Sequence, residues 1–157
     1  MATEIEHKYL VRTELWRPAG PGMLYRQGYL SSAGARVVRV RVAGEKAFLT
    51  VKGPSAGITR SEFEYPIPLD DATLMLNALC ERPIIEKTRH RETHAGRIWE
   101  VDVFHGDNEG LVLAEVEVAS EADTVALPPW AGAEVSHDLR YFNSNLVANP
   151  YKNWRRL

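Results

Sequence analysis

The stretch VRVRV, residues 38–42, alternates strictly between an aliphatic and a charged side chain. A period of two places the valines on one face of a β-strand and Arg39 and Arg41 on the other. The same alternation recurs along the chain and indicates a mainly β (α+β) domain of antiparallel strands. It predicts eight strands, near 3–11, 25–31, 35–43, 46–52, 61–67, 84–92, 97–104 and 111–119.

Two stretches are typical of helices instead. Residues 70–81 carry apolar side chains at helical spacing, and Asp70-Asp71 can cap their start. The tail from 144 to 154 is a second helix candidate, although Pro150 lies inside it. Gly- and Pro-rich stretches separate the ordered segments and indicate loops.

The composition indicates one ordinary domain over residues 1–157, because a chain of this length can bury its own core. Its 19 Lys and Arg against 21 Asp and Glu give a net charge of −2, which disfavours a dedicated nucleic-acid binder. There is no apolar run of the roughly 20 residues that a membrane helix needs, nor a signal-peptide pattern at the N-terminus. With Cys80 as the single cysteine, we expect a cytoplasmic protein, either a monomer or a homodimer.

Charged residues fall in same-sign pairs two positions apart on five of the predicted strands. The pairs are Glu4/Glu6, Arg39/Arg41, Glu62/Glu64, Lys87/Arg89 and Glu115/Glu117. Like charges on one strand face repel and need counter-charges, ligands or bulk water. One interpretation is a solvated outer face crossed by ion pairs. The other, which the same-sign pairing favours, is an eight-stranded antiparallel closed barrel with helices packed outside and the charges lining a channel.

Both signs of charge together fit a polyphosphate held with its metal ions. Arginine and lysine suit phosphate oxygens, and clustered carboxylates without His or Cys suit Mg²⁺ or Mn²⁺. The basic candidates are Lys8, Arg39, Arg41, Lys52, Arg60, Lys87 and Arg89. The acidic candidates are Glu4, Glu6, Glu62, Glu64, Asp102, Glu115 and Glu117. We expect two or three of these carboxylates to serve only as charge balance for the basic set.

Residues 4–8, Glu-Ile-Glu-His-Lys, resemble the ExExK signature of the CYTH superfamily, the triphosphate tunnel metalloenzymes. Further blocks follow in family order: RVRV (39–42), TVK (50–52), RSEFE (60–64), EKTR (86–89), EVDVF (100–104), EVEV (115–118) and HDLRYFNSNL (137–146). This resemblance implies an eight-stranded antiparallel tunnel that binds a triphosphate. The short chain is similar to bacterial members that hydrolyse inorganic triphosphate.

The resemblance implies a hydrolase of phosphoric anhydride bonds that cleaves tripolyphosphate to pyrophosphate and phosphate with a divalent cation. Other family branches leave a class IV-type adenylate cyclase and a thiamine or nucleoside triphosphatase as alternatives. A polyphosphate-binding module without turnover is a fourth possibility, which the complete carboxylate pairs disfavour.

The block around Tyr29 is similar to one in which a tyrosine stands near the lysine of ExExK. An adjacent ammonium lowers the pKa of a tyrosine by favouring the phenolate. We therefore expect Tyr29, paired with Lys8, to activate the attacking water. The alternatives are that Tyr29 is a core residue with a satisfied hydroxyl and that a metal-bound water is the nucleophile.

Overall fold

The structure is a computed structural model that describes residues 3–32 and 35–154. The eight predicted strands are confirmed, with boundaries that differ from the prediction by at most two residues. The strands are β1 (Thr3–Val11), β2 (Met23–Ser31), β3 (Val37–Ala43), β4 (Lys46–Lys52), β5 (Thr59–Ile67), β6 (Ile85–His94), β7 (Arg97–Phe104), β8 (Val112–Glu117) and a ninth, β9 (Ala131–Glu134).

The first eight strands form a closed antiparallel barrel in the order β5-β4-β3-β2-β6-β7-β8-β1. The seam closes where β1 pairs with β5, from Thr3 opposite Ser61 to Ile5 opposite Thr59. Strand β9 pairs with the far end of β1 and lies outside the barrel. The closure makes β5, β1 and β8 neighbours, and these are the strands that carry the three pairs of glutamates.

Helix α1 (Leu69–Ala78) packs on the outer face of β3 and β4, where Ala72 and Leu76 are buried against Val40 and Ala47. It ends three residues before the predicted position. The predicted cap is wrong, because Asp70 and Asp71 lie in the first turn and no side chain caps the helix. Their negative charges there still favour a helix N-terminus.

The C-terminal segment closes one end of the barrel. Leu146 and Val147 of helix α2 (Asn143–Ala148) are buried against the inward-facing Ile85, Phe104 and Leu113. The predicted helix over 144–154 is therefore too long, because the chain leaves the α-helix before Pro150 and makes a 3₁₀ turn at Tyr151–Asn153. None of the helices in the described residues is long and apolar enough to cross a membrane.

Candidate active site

A cavity of about 360 Å³ lies inside the barrel and is lined by the inner faces of the strands. All seven basic candidates and six of the seven acidic ones line it: Lys8, Arg39, Arg41, Lys52, Arg60, Lys87 and Arg89, with Glu4, Glu6, Glu62, Glu64, Glu115 and Glu117. Asp102 is not among the lining residues, because it lies beneath Lys87 and Arg89 and is only 1% exposed. The structure thus brings the predicted residues together around one space.

The carboxylates gather on one side of this cavity, on three adjacent strands. Register places Glu6 directly opposite Glu117 across β1 and β8, an arrangement that repulsion disfavours unless protons or cations intervene. Glu6 also lies beside Glu115, and Glu4 beside Glu62, close enough for the two carboxyl groups of each pair to share a hydrogen bond. Such a bond would require one of the two groups to keep its proton.

The pKa directions within these pairs show which group binds a proton more readily. Burial, with the neighbouring charge of Glu115, raises the pKa of Glu6 well above its ordinary value. Burial also raises the pKa of Glu4. Burial alone would raise the pKa of Glu115 too, but its hydrogen bond with Glu6 and the charges of Lys8 and Arg89 hold it well below the ordinary range. A cation bound by Glu4 or Glu6 would therefore compete with protons.

Strand β6 contributes two cations that share the buried carboxylate of Asp102. Arg89 binds it through two hydrogen bonds, of 2.7 and 2.9 Å, and Lys87 Nζ lies 2.7 Å from Asp102 Oδ2. Arg89 also donates to Glu115 at 3.1 Å. Burial lowers the pKa of Lys87 to about 7, even though the charge of Asp102 opposes the shift. Both oxygens of Asp102 are thus used by cations.

Three further basic candidates also contact polar groups of the protein. Lys52 Nζ contacts Glu4 at 3.1 Å and Glu62 at 3.3 Å, which connects β4 across the barrel seam. Arg39 lies 3.4 Å from Glu64. Arg60 donates two hydrogen bonds to the carbonyl of Gly53 and so fastens the loop between β4 and β5.

Arg41, Lys8 and Arg60 have no carboxylate at salt-bridge distance within the described residues, and Arg60 is turned to the Gly53 carbonyl. Arg41 Nε donates to Gln27 Oε1 at 2.9 Å, and its guanidinium lies 4.9 Å from the Tyr25 ring centroid. Burial, together with the charges of Arg39 and Arg89, lowers the pKa of Arg41 to about 10. Lys8 Nζ donates to the Tyr141 carbonyl at 3.2 Å, although its strand register places it opposite Glu115. Arg41 and Lys8 therefore face the cavity with no carboxylate in direct contact.

Tyr29 is buried at the inner end of the cavity, 3% exposed, and its hydroxyl accepts a hydrogen bond of 3.2 Å from Gln27 Nε2. Lys8 lines the same cavity, but its Nζ is directed to Tyr141 and lies over the Phe142 ring at 4.9 Å. The hydrogen-bond partner that the structure gives Tyr29 is therefore Gln27.

Several polar residues of the site were not predicted from the sequence, among them Gln27, Thr50, Glu100 and Asn143. Thr50 Oγ1 accepts from Arg39 and donates to Glu64, and Glu100 lies 3.3 Å from Arg89. Strand alternation could have identified Gln27, Thr50 and Glu100, since each shares a face with a chosen residue two positions away. Asn143 carries no such signal, because it begins a short helix.

The family model of the CYTH domain matches residues 2–151. The chain belongs to the CYTH family. It is 50% identical over 155 residues to the inorganic triphosphatase of Acetivibrio thermocellus, with 99% of each chain covered. It is 38% identical over 151 residues to the inorganic triphosphatase of Nitrosomonas europaea, covering 92% of this chain and 97% of the relative. The crystal structure of the inorganic triphosphatase NE1496 matches with a TM-score of 0.66 and 36% identity, over 94% of this chain and 95% of that one.

CYTH membership confirms the resemblance and implies a divalent metal ion. The chemistry of the cavity fits one, because its acidic wall offers only carboxylate oxygens, which hard divalent cations prefer. Among the described residues no three carboxyl, imidazole or thiol groups form a ready-made metal cage. Basic side chains contact several of these carboxylates instead, as Lys52 does Glu4 and Arg89 does Glu115.

Proposed function

We propose that this protein is an inorganic triphosphatase, which hydrolyses tripolyphosphate to pyrophosphate and phosphate with Mg²⁺ or Mn²⁺ as its divalent cation. The observation that carries this proposal is the division of the cavity. Among the described residues, Arg41 and Lys8 lie there with no carboxylate at salt-bridge distance, and closely paired glutamates lie on β1, β5 and β8. Such a cavity has sites for a polyanion and for its counter-cation. The relatives named inorganic triphosphatase support the same substrate class.

The phosphates would bind first to the cations that have no carboxylate partner. The Nη groups of Arg41 can bind two phosphate oxygens at once, and the Lys8 ammonium adds a point charge. The other predicted basic residues already contact polar groups of the protein, so their part is to surround the polyphosphate and offset the charge that shifts during phosphoryl transfer. These residues are Arg39, Lys52, Arg60, Lys87 and Arg89.

The glutamates on β1, β5 and β8 would hold the cation. Glu6 with Glu115 and Glu4 with Glu62 are the first candidates, because the carboxyl groups of each pair lie side by side and a cation would relieve their repulsion. Glu64 and Glu117 are further ligand candidates. When bound, the ion offsets the negative charge of the phosphate oxygens. Asp102 instead balances the charges of Lys87 and Arg89 from behind the cavity wall.

Water activation is the role that we propose for Tyr29, with Lys8 as the adjacent cation of the same cavity. A group that takes the proton of an attacking water must lie within hydrogen-bond reach of that water. Gln27 holds the Tyr29 hydroxyl in place, and Arg41 and Lys8 line the same cavity, where the polyphosphate would bind. The inner position of Tyr29 matches this role, because bulk water has little access there.

Phosphorus NMR of tripolyphosphate with the protein, with Mg²⁺ and again with EDTA, tests the proposal. We expect equal amounts of pyrophosphate and orthophosphate to accumulate with Mg²⁺ and neither with EDTA. A parallel sample with ATP separates the alternatives, because a cyclase would form cyclic AMP and pyrophosphate. Unchanged tripolyphosphate with tight binding would favour the module without turnover and would overturn the hydrolase proposal.

We also propose a cytoplasmic setting for this activity. Cys80 is buried, free and the single cysteine, so the fold gains nothing from an oxidising compartment.

A further inference from the structure

Strand β2 lies between two strands whose inward-facing side chains are cationic, whereas its own inward-facing side chains are uncharged. Its inward-facing side chains are Tyr25, Gln27 and Tyr29. On one side β3 carries Arg39 and Arg41, and on the other β6 carries Lys87 and Arg89. Cations on neighbouring strands repel each other. The direction of each cationic side chain therefore depends on the hydrogen bonds and ring contacts that the uncharged side chains of β2 provide.

Gln27 is the middle one of these uncharged side chains and is fully buried. Its Oε1 accepts from Arg41 Nε at 2.9 Å, while its Nε2 donates to the Tyr29 hydroxyl at 3.2 Å and to Asn143 Oδ1 at 3.0 Å. Arginine can only donate, so the amide oxygen must face Arg41 and the amide nitrogen must face Tyr29 and Asn143. One side chain therefore fixes the orientation of groups on three elements.

The direction of these hydrogen bonds determines what remains free for a ligand. Because Arg41 uses Nε on Gln27, both of its Nη groups remain for an anion. Because the Tyr29 oxygen accepts from Gln27, its own hydrogen and remaining lone pair are left for the cavity. Asn143 Oδ1 also accepts from Lys87 Nζ at 2.9 Å, so the same network reaches β6.

We propose that Gln27 is a positioning residue, which aims the guanidinium of Arg41 and the hydroxyl of Tyr29 at the bound polyphosphate. Gln27 does not itself touch the reacting atoms. This inference rests on the proposed triphosphatase activity, because it assigns the residue a part in that reaction.

A double-mutant cycle with Arg41 tests the proposal. Gln27→Met keeps the length of the side chain and removes every hydrogen bond, and we expect kcat/KM for tripolyphosphate to fall about 10-fold or more. Because part of the effect of Gln27 passes through Arg41, the double variant Gln27→Met/Arg41→Ala should lose clearly less than the product of the two single losses. Asn108→Ala is the matched control, because Asn108 is an equally buried amide outside the cavity that binds the backbone of Tyr151. We expect it to keep its kcat/KM within about twofold even where it lowers the melting temperature.

A second variant keeps the test decisive if Gln27→Met does not fold. Gln27→Glu retains an acceptor for Arg41 but removes the N–H donor to Tyr29 and adds a negative charge beside Arg41, so kcat should fall about 10-fold and KM for tripolyphosphate should rise. Wild-type kinetics in the folded variant would overturn the proposal. So would losses that multiply in the double variant, or an equal loss in Asn108→Ala.

Calorimetric binding of tripolyphosphate in EDTA separates this proposal from the proposed function. If the wild type releases no phosphate, the triphosphatase assignment is wrong. The binding data then decide on Gln27. If Gln27→Met weakens tripolyphosphate binding in the wild-type protein but not in Arg41→Ala protein, Gln27 still orients Arg41. Equal binding by wild type and Gln27→Met would overturn the orientation of Arg41 by Gln27.

Discussion

Replacement of Arg41 by alanine should damage activity strongly and leave the fold nearly unchanged. Arg41 has no carboxylate partner, so its removal strands no buried anion. It also relieves the repulsion from Arg39 and Arg89 that helps to lower its pKa. Against this gain stand the hydrogen bond to Gln27 and the contact with the Tyr25 ring, which together are worth about 1–2 kcal/mol.

The functional loss is expected to be much larger than the structural one. A guanidinium that binds two phosphate oxygens loses two charge-assisted hydrogen bonds when it is removed, about 2–4 kcal/mol in all. At 1.36 kcal/mol for each factor of ten, kcat/KM should fall about 30- to 900-fold. The melting temperature, in contrast, should change by no more than about 2–8 °C, since 1 kcal/mol shifts a domain of this size by about 2–4 °C.

Phosphate release from tripolyphosphate, together with thermal unfolding of the same samples, measures both quantities. Arg26→Gln is the matched control, because Arg26 neighbours this region on β2 but faces outward and makes only a half-exposed contact with Glu86. Its activity should remain within about twofold of wild type. Arg41→Ala protein that folds and retains wild-type kcat and KM would refute the assignment of Arg41 to the phosphate site.

Four further predictions follow from the site. Tyr29→Phe should lower kcat by about 100-fold with little change in KM, whereas full turnover in this variant would show that Tyr29 does not activate the water. Glu6→Gln should raise the Mg²⁺ concentration for half-maximal activity about 10-fold. Since the pKa values of Glu4 and Glu6 are raised, Mg²⁺ binding should release protons and weaken as the pH falls; calorimetry that gives one heat in buffers of different ionisation enthalpy would contradict this. Because the pKa of Lys87 is lowered to about 7, the side chain loses its charge above pH 7, and KM for tripolyphosphate should rise by up to about 10-fold for the next pH unit. In Lys87→Arg, which stays charged, this rise should be absent. An equal rise of KM in both proteins would disprove the role of the Lys87 charge.

The strands and the charged rows were predictable from the sequence because side chains alternate along every strand. Arg39 and Arg41, for example, had to share a face wherever β3 lay in the sheet. Strand β9 was not predictable, since Ala-Gly-Ala-Glu at 131–134 shows no apolar alternation and is ordered by pairing with β1. The length of α2 depends on the barrel end that Leu146 and Val147 fill, which no local pattern reveals.

The roles within the site depend on tertiary contacts that alternation does not give. Asp102 and Glu100 share a face of β7, yet Glu100 lines the cavity and Asp102 lies beneath two cations. Asn143 reaches Lys87 because the C-terminal segment folds over the barrel end. Sequence periodicity thus predicts the strand face on which each side chain lies. The contact partners and the burial of that side chain depend on how the barrel closes.

The most direct test of the triphosphatase proposal is the initial rate of phosphate release from tripolyphosphate, ATP and thiamine triphosphate, measured in parallel with Mg²⁺ and with EDTA. A metal-dependent inorganic triphosphatase should have its highest kcat/KM for tripolyphosphate and should release no phosphate in EDTA. Release from ATP or thiamine triphosphate alone, or release that survives EDTA, would contradict the proposal.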